Sequence, residues 1–410
     1  MIHRLAVKQF RGIRDEGMTL GRCNLLIGPN GGGKSNILDA IRFLQGVGNG
    51  FTVRDILDGT PGGATQRKWD GLRGGAAEAL WRGGLRAETG PDSWLPGLPR
   101  ESFAIFVASS DNDSDGYIIA VNPDHAAVVY EQALRQGKGF VTESDREPHD
   151  LIMARLWRGT KGQPPQWPFS TMAPLLPRIA AAPPAKSTAA GELSAVCRTI
   201  ASELADVQFL DLDVKCLRAY THPSHQTLGD HGENFAAVAL RLAERGVLKP
   251  WLSELLPDGV RDVRPFTTDL GEVMFGIEET NGAHVSARSL SDGTLRFTAL
   301  ATALMAQTRP CLLLVEEIEN GLHPSRLRLV VEMLLAAAEE RGQIIATTHS
   351  PALLAHWPRD RHEDVLVVTR SEQDGGTKVV PLPEMPGYDD GLAHRRLDEL
   401  QIEGWTASPV

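Results

Sequence analysis

An α/β fold built around a parallel sheet is the architecture this sequence predicts, on three observations. Short apolar runs alternate with helical stretches near the N-terminus and again through the last third. The run from Cys311 to Val315 is wholly apolar, as a strand buried on both faces must be. A glycine-rich turn at 28–33 joins a strand to a helix, the connection that opens a βα unit.

Taken in order, residues 3–10 alternate as a strand and Asn24 to Ile27 form a second. A helix follows the glycine turn, from about Ser35 to Leu44. From 50 to 100 the texture changes, with Gly62-Gly63, Gly74-Gly75 and Gly83-Gly84 punctuating short segments. A strand pair, SFAIFVAS and GYIIAVN, is joined by the acidic loop Asp111 to Gly116. The proline-rich stretch from Pro164 to Pro184 reads as a linker or irregular surface, and 191–206 as a helix. Asn281-Gly282 between 271–278 and 283–288 is a strong hairpin signal. Then come a helix (293–307), a buried strand (311–315), a helix (325–341), a strand (343–347), a helix (352–356), a hairpin around Gly375-Gly376 and an acidic final helix at 389–403. No internal repeat or sustained heptad is present.

Composition narrows the class. At 410 residues, 42% hydrophobic and 23% charged, the chain is long enough for about two or three globular domains. Its net charge of −10 argues against coating nucleic acid nonspecifically, but leaves a local DNA contact open. No signal peptide and no run of about 18 apolar residues is found, so neither secretion nor a membrane partner segment is expected. Four scattered cysteines without a CxxC pair read as free thiols of a cytoplasmic protein. Glycine is the outlier, with 41 residues against a usual ~7%.

Part of that excess has a chemical use. Gly28-Pro-Asn-Gly-Gly-Gly-Lys34-Ser35 matches GxxxxGK[ST] in full, after a strand and before a helix. Glycines there let backbone N–H groups turn inward around phosphate oxygens, where a Cβ would intrude. Lys34 is expected to reach the β- and γ-phosphates of ATP and Ser35 to bind Mg²⁺. The strand ending in Glu316-Glu317 delivers two carboxylates to the mouth of the sheet. Glu316 would hold Mg²⁺, and Glu317 would orient and polarise the attacking water. Ser289-Leu-Ser291-Asp292-Gly293-Thr294 opens an apolar helix, whose capped N-terminus leaves N–H groups for whatever lies in front.

The order of these motifs resembles the ABC-type ATPases of the SMC, RecF and OLD-like branch, especially its compact AAA-like ATPases. The matching segments are Leu290 to Arg296, Leu312 to Pro324 and Thr347 to Pro351, with Phe10-Arg11-Gly12 and Gly229 to Asn234 in support. The resemblance covers about 1–45 and 205–370. It implies an ABC-type P-loop ATPase head, a mixed sheet with flanking helices, interrupted by an inserted α+β subdomain. The corresponding divisions are 1–50 (N-terminal lobe), 51–204 (insert), 205–370 (C-terminal lobe) and 371–410 (hairpin and helix).

Carried residue by residue, it implies that Asn30, Gly31, Gly32, Gly33, Lys34, Ser35 and Asn36 bind ATP. Glu316 is then the Walker B acid, in place of the commoner aspartate, and Glu317 the catalytic base. His349 resembles the switch histidine at the γ-phosphate, and Arg11 the arginine near the phosphates. Ser291 and Gly293 resemble the signature that caps the ATP of a second protomer. The expected partners are therefore a second copy through facing heads, and a separate effector such as a nuclease or toxin in antiphage defence. The 61 residues after His349 are too few for an appended Toprim nuclease. A Q-loop glutamine is not identified among Gln45, Gln132, Gln163 and Gln166.

Other constellations read as structural. Asp111 to Gly116 imitates an EF-hand start but lacks the twelfth-position glutamate. His222, His225 and His231 with Asp230 match no zinc spacing. Tryptophans 69, 81, 94, 157 and 167 suit the core of a small subdomain, and near charge balance over 54–100 is no nucleic-acid footprint.

Overall fold

A computed structural model describes residues 1–60, 69–81, 83, 101–109, 115–142, 150–157, 166–182, 188–256, 259–306, 311–340 and 342–405. The apolar runs at both ends of the sequence come together in one six-stranded sheet. Its order is Val207–Leu210, Leu312–Val315, Gln343–Thr347, Cys23–Ile27, Val365–Arg370 and Thr377–Pro381. The first five strands are parallel and the last is antiparallel. Alternate residues of Cys23–Ile27 face different cores: Leu25 and Ile27 one, Leu26 the other. Both faces are covered, which explains why these strands are apolar throughout.

A second sheet of eight antiparallel strands begins with Ile13–Thr19 and Arg4–Phe10. It continues through Phe103–Ala108, Gly116–Asn122, Ala127–Arg135, Lys138–Thr142, Leu151–Trp157 and Gln166–Ser170. Helices Lys34–Gly48 and Thr188–Ala205 share its inner core: Leu5, Phe103 and Ile119 belong to the same cluster as Leu38, Ile41 and Cys197. The chain between the first βα unit and the rest of the parallel sheet thus extends a sheet that the N-terminal hairpin starts.

The predicted strand pair at 102–122 forms in antiparallel register, Phe106 opposite Ile118, and the Asn281-Gly282 hairpin pairs Ile277 with Val285. One expectation needs correction. The proline-rich stretch is ordered in part, as strand Gln166–Ser170 and helix Leu175–Ala180. Pro168 lies on the last strand of the sheet and Pro177 in a first helical turn, where missing N–H groups are tolerated. Strand Ile13–Thr19 was also not anticipated, because Arg14, Asp15 and Glu16 hide its alternation. Glu16 is buried there, with Lys378 Nζ at 2.6 Å and the Val379 N–H at 3.2 Å. The loop Asp111–Ser114 and Trp94 lie outside the described residues.

One buried acid ties the second sheet to the proline-rich stretch. Glu131 accepts bonds from the Tyr117 hydroxyl (2.9 Å) and from the backbone N–H groups of Leu175 (2.6 Å) and Leu176 (2.9 Å). Burial pushes its carboxyl up to about 7, while these donors pull the other way.

Candidate nucleotide-binding site

The parallel strands end on one rim, and each brings a loop to it. Cys23–Ile27 leads into the glycine turn, Leu312–Val315 into Glu316-Glu317, and Gln343–Thr347 into Thr348-His349. Gly28, Gly31 and Gly33 all have positive φ, at 137°, 77° and 115°. At Gly28 a Cβ would overlap the Val368 carbonyl, and at Gly33 the Thr377 side chain. Gly31 has no such neighbour; its side faces open space, with Asn30 also exposed. The loop is therefore packed from behind and open in front, as a backbone cradle for an anion requires.

Lys34 folds back over that cradle. Its ammonium donates to the carbonyls of Gly28 (2.7 Å) and Pro29 (3.0 Å) and lies 3.4 Å from His349 Nδ1. Burial pushes its pKa down to about 8, against the opposing pull of Glu319, Glu317 and Glu316. Ser35 donates to Glu316 Oε1. A hydroxyl and a carboxylate oxygen thus meet at the N-terminus of helix Lys34–Gly48, a hard-oxygen pair that suits Mg²⁺. Asn36 continues the first turn and packs over Gly12.

Glu317 adopts φ 47°, a left-handed conformation uncommon for a non-glycine residue, and its N–H donates to Thr347 Oγ1 at 2.9 Å. Its half-exposed carboxylate lies 4.0 Å from His349 Nε2. The His349 N–H in turn donates to Glu319 Oε1 at 2.6 Å. The predicted Lys34, Ser35, Glu316, Glu317 and His349 are therefore assembled around one opening.

Arg11 reaches this assembly indirectly. Its guanidinium pairs with Asp39 Oδ2 at 2.8 Å and donates to the Arg73 carbonyl. Asp39 also pairs with Arg73 at 3.3 Å, and Arg73 Nη1 contacts both Glu316 oxygens, at 3.2 and 3.3 Å. An alternating chain of charge results, from Arg11 through Asp39 and Arg73 to Glu316. Arg73 was not anticipated. Its signal was the glycines around it: Gly71, Gly74 and Gly75 have φ of 73°, 70° and 57° and shape the turn that presents it.

Ser291 and Gly293 stand apart from this cluster. Ser291 caps helix Asp292–Ala306, accepting from the Thr294 N–H at 3.2 Å, and remains exposed. Gly293 packs against the Gly321 carbonyl, in the loop after Glu317. Arg218 fastens the loop by donating to Leu290 O (2.9 Å) and Asp292 Oδ1 (2.8 Å). Gln45 donates to the Val207 carbonyl and Gln132 accepts from Tyr130, so neither is bonded to the phosphate loop; Gln166 is exposed on the last strand of the second sheet, and Gln163 lies outside the described residues. Two further residues that the sequence did not flag serve the loop from the C-terminal hairpin: Arg370 donates to Gly31 O at 2.8 Å, and Thr377 backs Gly33.

The family model described as "AAA domain, putative AbiEii toxin, Type IV TA system" matches residues 23–78 and 202–355, just over half of the chain. The crystal structure of an SMC head bound to the C-winged helix domain of ScpA superposes with a TM-score of 0.50 at 16% identity, over 92% of this chain and 97% of that one. The SMC head domain from Thermotoga maritima gives 0.43 at 13% identity, over 93% and 98%. A curated relative, the phosphonates import ATP-binding protein PhnC 2 of Albidiferax ferrireducens, is 40% identical over 72 residues, 17% of this chain. The chain spans only a quarter of that relative's length. No helix among the described residues is long and apolar enough to cross a membrane. A match over more than half of the sequence makes this chain a member of that AAA-domain family, a P-loop ATPase with the fold of an SMC head.

Proposed function

We propose that this ATPase is a slow, ATP-dependent dimeric switch that acts in prokaryotic antiphage defence or another DNA-directed process through a separate effector such as a nuclease or toxin. The observation that carries the reading is a division of labour. Lys34, Ser35, Glu316, Glu317 and His349 converge on one opening, whereas the exposed Ser291 helix start is bonded to none of them. A signature that bonds to none of these groups in its own chain suits the ATP of a facing copy, with Ser291 and Gly293 aimed at its γ-phosphate.

On ATP binding, the Lys34 ammonium exchanges the Gly28 and Pro29 carbonyls for β- and γ-phosphate oxygens. Backbone N–H groups from Asn30 to Asn36 line the phosphates, and the Arg11–Asp39–Arg73 chain flanks them. Ser35 and Glu316 would hold Mg²⁺, which when bound neutralises phosphate charge. Glu317 accepts a proton from water as its oxygen attacks the γ-phosphorus; the bond to the bridging oxygen breaks, and ADP departs with the electron pair. His349 stands beside Glu317 to contact the γ-phosphate. Residues 1–50 and 205–370 serve as the two lobes of the head, 51–204 as its insert and 371–410 as a C-terminal appendage.

The alternative is a transporter's nucleotide-binding subunit, which the curated relative's name favours. The long strand-rich segment between the two matched regions opposes it. Solution mass of Glu317→Gln with ATP and Mg²⁺ decides the switch: a dimer that dissolves without ATP is expected, and a persistent monomer from an active wild type would overturn it. A membrane subunit co-purifying with it would establish the alternative; a nuclease, toxin or DNA would support the defence reading.

A further inference from the structure

The two side chains assigned to the γ-phosphate and its attacking water come from different loops. Glu317 follows strand Leu312–Val315, and His349 follows strand Gln343–Thr347. What they do together depends on how firmly the two loops are held to each other.

Hydrogen bonds join the loops side by side. The Glu317 N–H donates to Thr347 Oγ1 (2.9 Å), the Ile318 N–H to the Thr347 carbonyl (3.1 Å) and the His349 N–H to Glu319 Oε1 (2.6 Å). The first two fix the start of the acidic turn. They include the left-handed backbone of Glu317, a conformation that persists only where its surroundings hold it. The third fixes His349, through a charge-assisted bond of the stronger kind. Thr348, between these anchors, is itself tied by its N–H to the Leu26 carbonyl (3.1 Å), on the strand that leads to the phosphate loop.

His349 is where a shift would be felt most. Its Nδ1 lies 3.4 Å from the Lys34 ammonium and its Nε2 4.0 Å from Glu317. A backbone displacement of about 1 Å would disturb both relations, and misplacement on that scale is enough to slow a reaction strongly.

Glu319 makes this bond at a cost to stability. Its second oxygen, Oε2, is buried and has no hydrogen-bond partner among the described residues. An unpartnered buried acceptor weakens a fold, so folding alone does not account for an acid here. Departures of this sort gather at functional sites.

We propose that Glu319 is a positioning residue for ATP hydrolysis, holding His349 in register with Glu317 and Lys34 through the His349 backbone N–H. The inference rests on the roles given above to Glu317 and His349. Because the Glu319 charge also acts on Lys34, reach and charge must be separated, and two substitutions do so. Glu319→Gln keeps an acceptor oxygen at the same reach without the charge; Glu319→Asp keeps the charge one methylene short. In Glu319→Ala and Glu319→Asp, kcat is expected to fall about tenfold or more with KM for ATP changed less than about threefold, while Glu319→Gln restores kcat to within about threefold of wild type. Hydrogen exchange of the His349 amide, read by mass spectrometry, should quicken in the alanine and aspartate variants and stay slow in the glutamine variant. An active Glu319→Asp beside an impaired Glu319→Gln would make the role electrostatic and overturn the proposal. So would unchanged exchange in Glu319→Ala, or a loss confined to urea stability with kcat per folded molecule unchanged. Glu317→Gln and His349→Ala are measured alongside. Full turnover in both would refute the catalytic assignment and this inference with it, whereas losses in both with Glu319→Ala unaffected would overturn the positioning role alone.

Discussion

The two sheets of this protein solve different problems with the same chain. In the six-stranded sheet, parallel strands stop at a common rim and hand short polar loops to a shared opening. In the eight-stranded sheet, antiparallel strands fold back on one another, and polar groups such as Glu131 are closed off in the interior. The first arrangement leaves Glu317 half-exposed at the rim and holds Lys34 on the carbonyls of its own loop, both beside the opening a ligand would fill. The second satisfies its groups internally. Substitutions in the first should therefore change ATP chemistry more than folding, and substitutions in the second the reverse.

The sharpest break should come at Gly33. An alanine there meets Thr377 while held at φ 115°, so Gly33→Ala is expected to weaken ATP binding by about 100-fold or more. Adding Thr377→Ala should not restore it, because the backbone strain persists; fluorescent-nucleotide titration measures both. In the other sheet, Glu131→Gln turns an amide NH₂ toward a backbone N–H whichever way it lies. A loss of about 1–3 kcal/mol in urea unfolding is expected, with ATP affinity unchanged within error.

Arg73→Ala tests the boundary between the two behaviours. It leaves Asp39 with Arg11 alone and Glu316 with Ser35 alone, so both stability and turnover should fall, by roughly 1–2 kcal/mol and about tenfold. An effect on stability alone would make Arg73 a structural residue. The gentlest probe is pH. Lys34 in the free protein titrates near 8, below its unfolded value of 10.5, and phosphate favours its charged form. ATP affinity should hold steady below about pH 8 and then fall by up to tenfold per pH unit, with proton uptake on binding. Calorimetry in two buffers of different ionisation enthalpy reads that uptake directly.

Much of the first sheet was legible because its rules are local. A full GxxxxGK[ST] between strand and helix, and an apolar strand ending in two acids, each declare their geometry. Arg73 was not legible, because its importance lies in reaching Asp39 and Glu316 across the fold, which no spacing encodes. The glycines at 71, 74 and 75 were visible in the composition, but their use emerged only with the turn they form. Likewise, Ile13–Thr19 carries a buried glutamate whose partner, Lys378, lies at the other end of the chain. Sequence patterns record what an element does to its own neighbours, and record poorly what distant elements do to each other.

The C-terminal hairpin that backs the phosphate loop has a practical corollary. Val368 and Thr377 lie beyond residue 355, where the family match ends, yet they form the wall behind Gly28 and Gly33. A fragment trimmed to the recognisable motifs would keep every signature residue and lose the surface against which the loop is moulded. The minimal working ATPase is therefore larger than its signature, and inheritance of the motifs alone does not transmit the site.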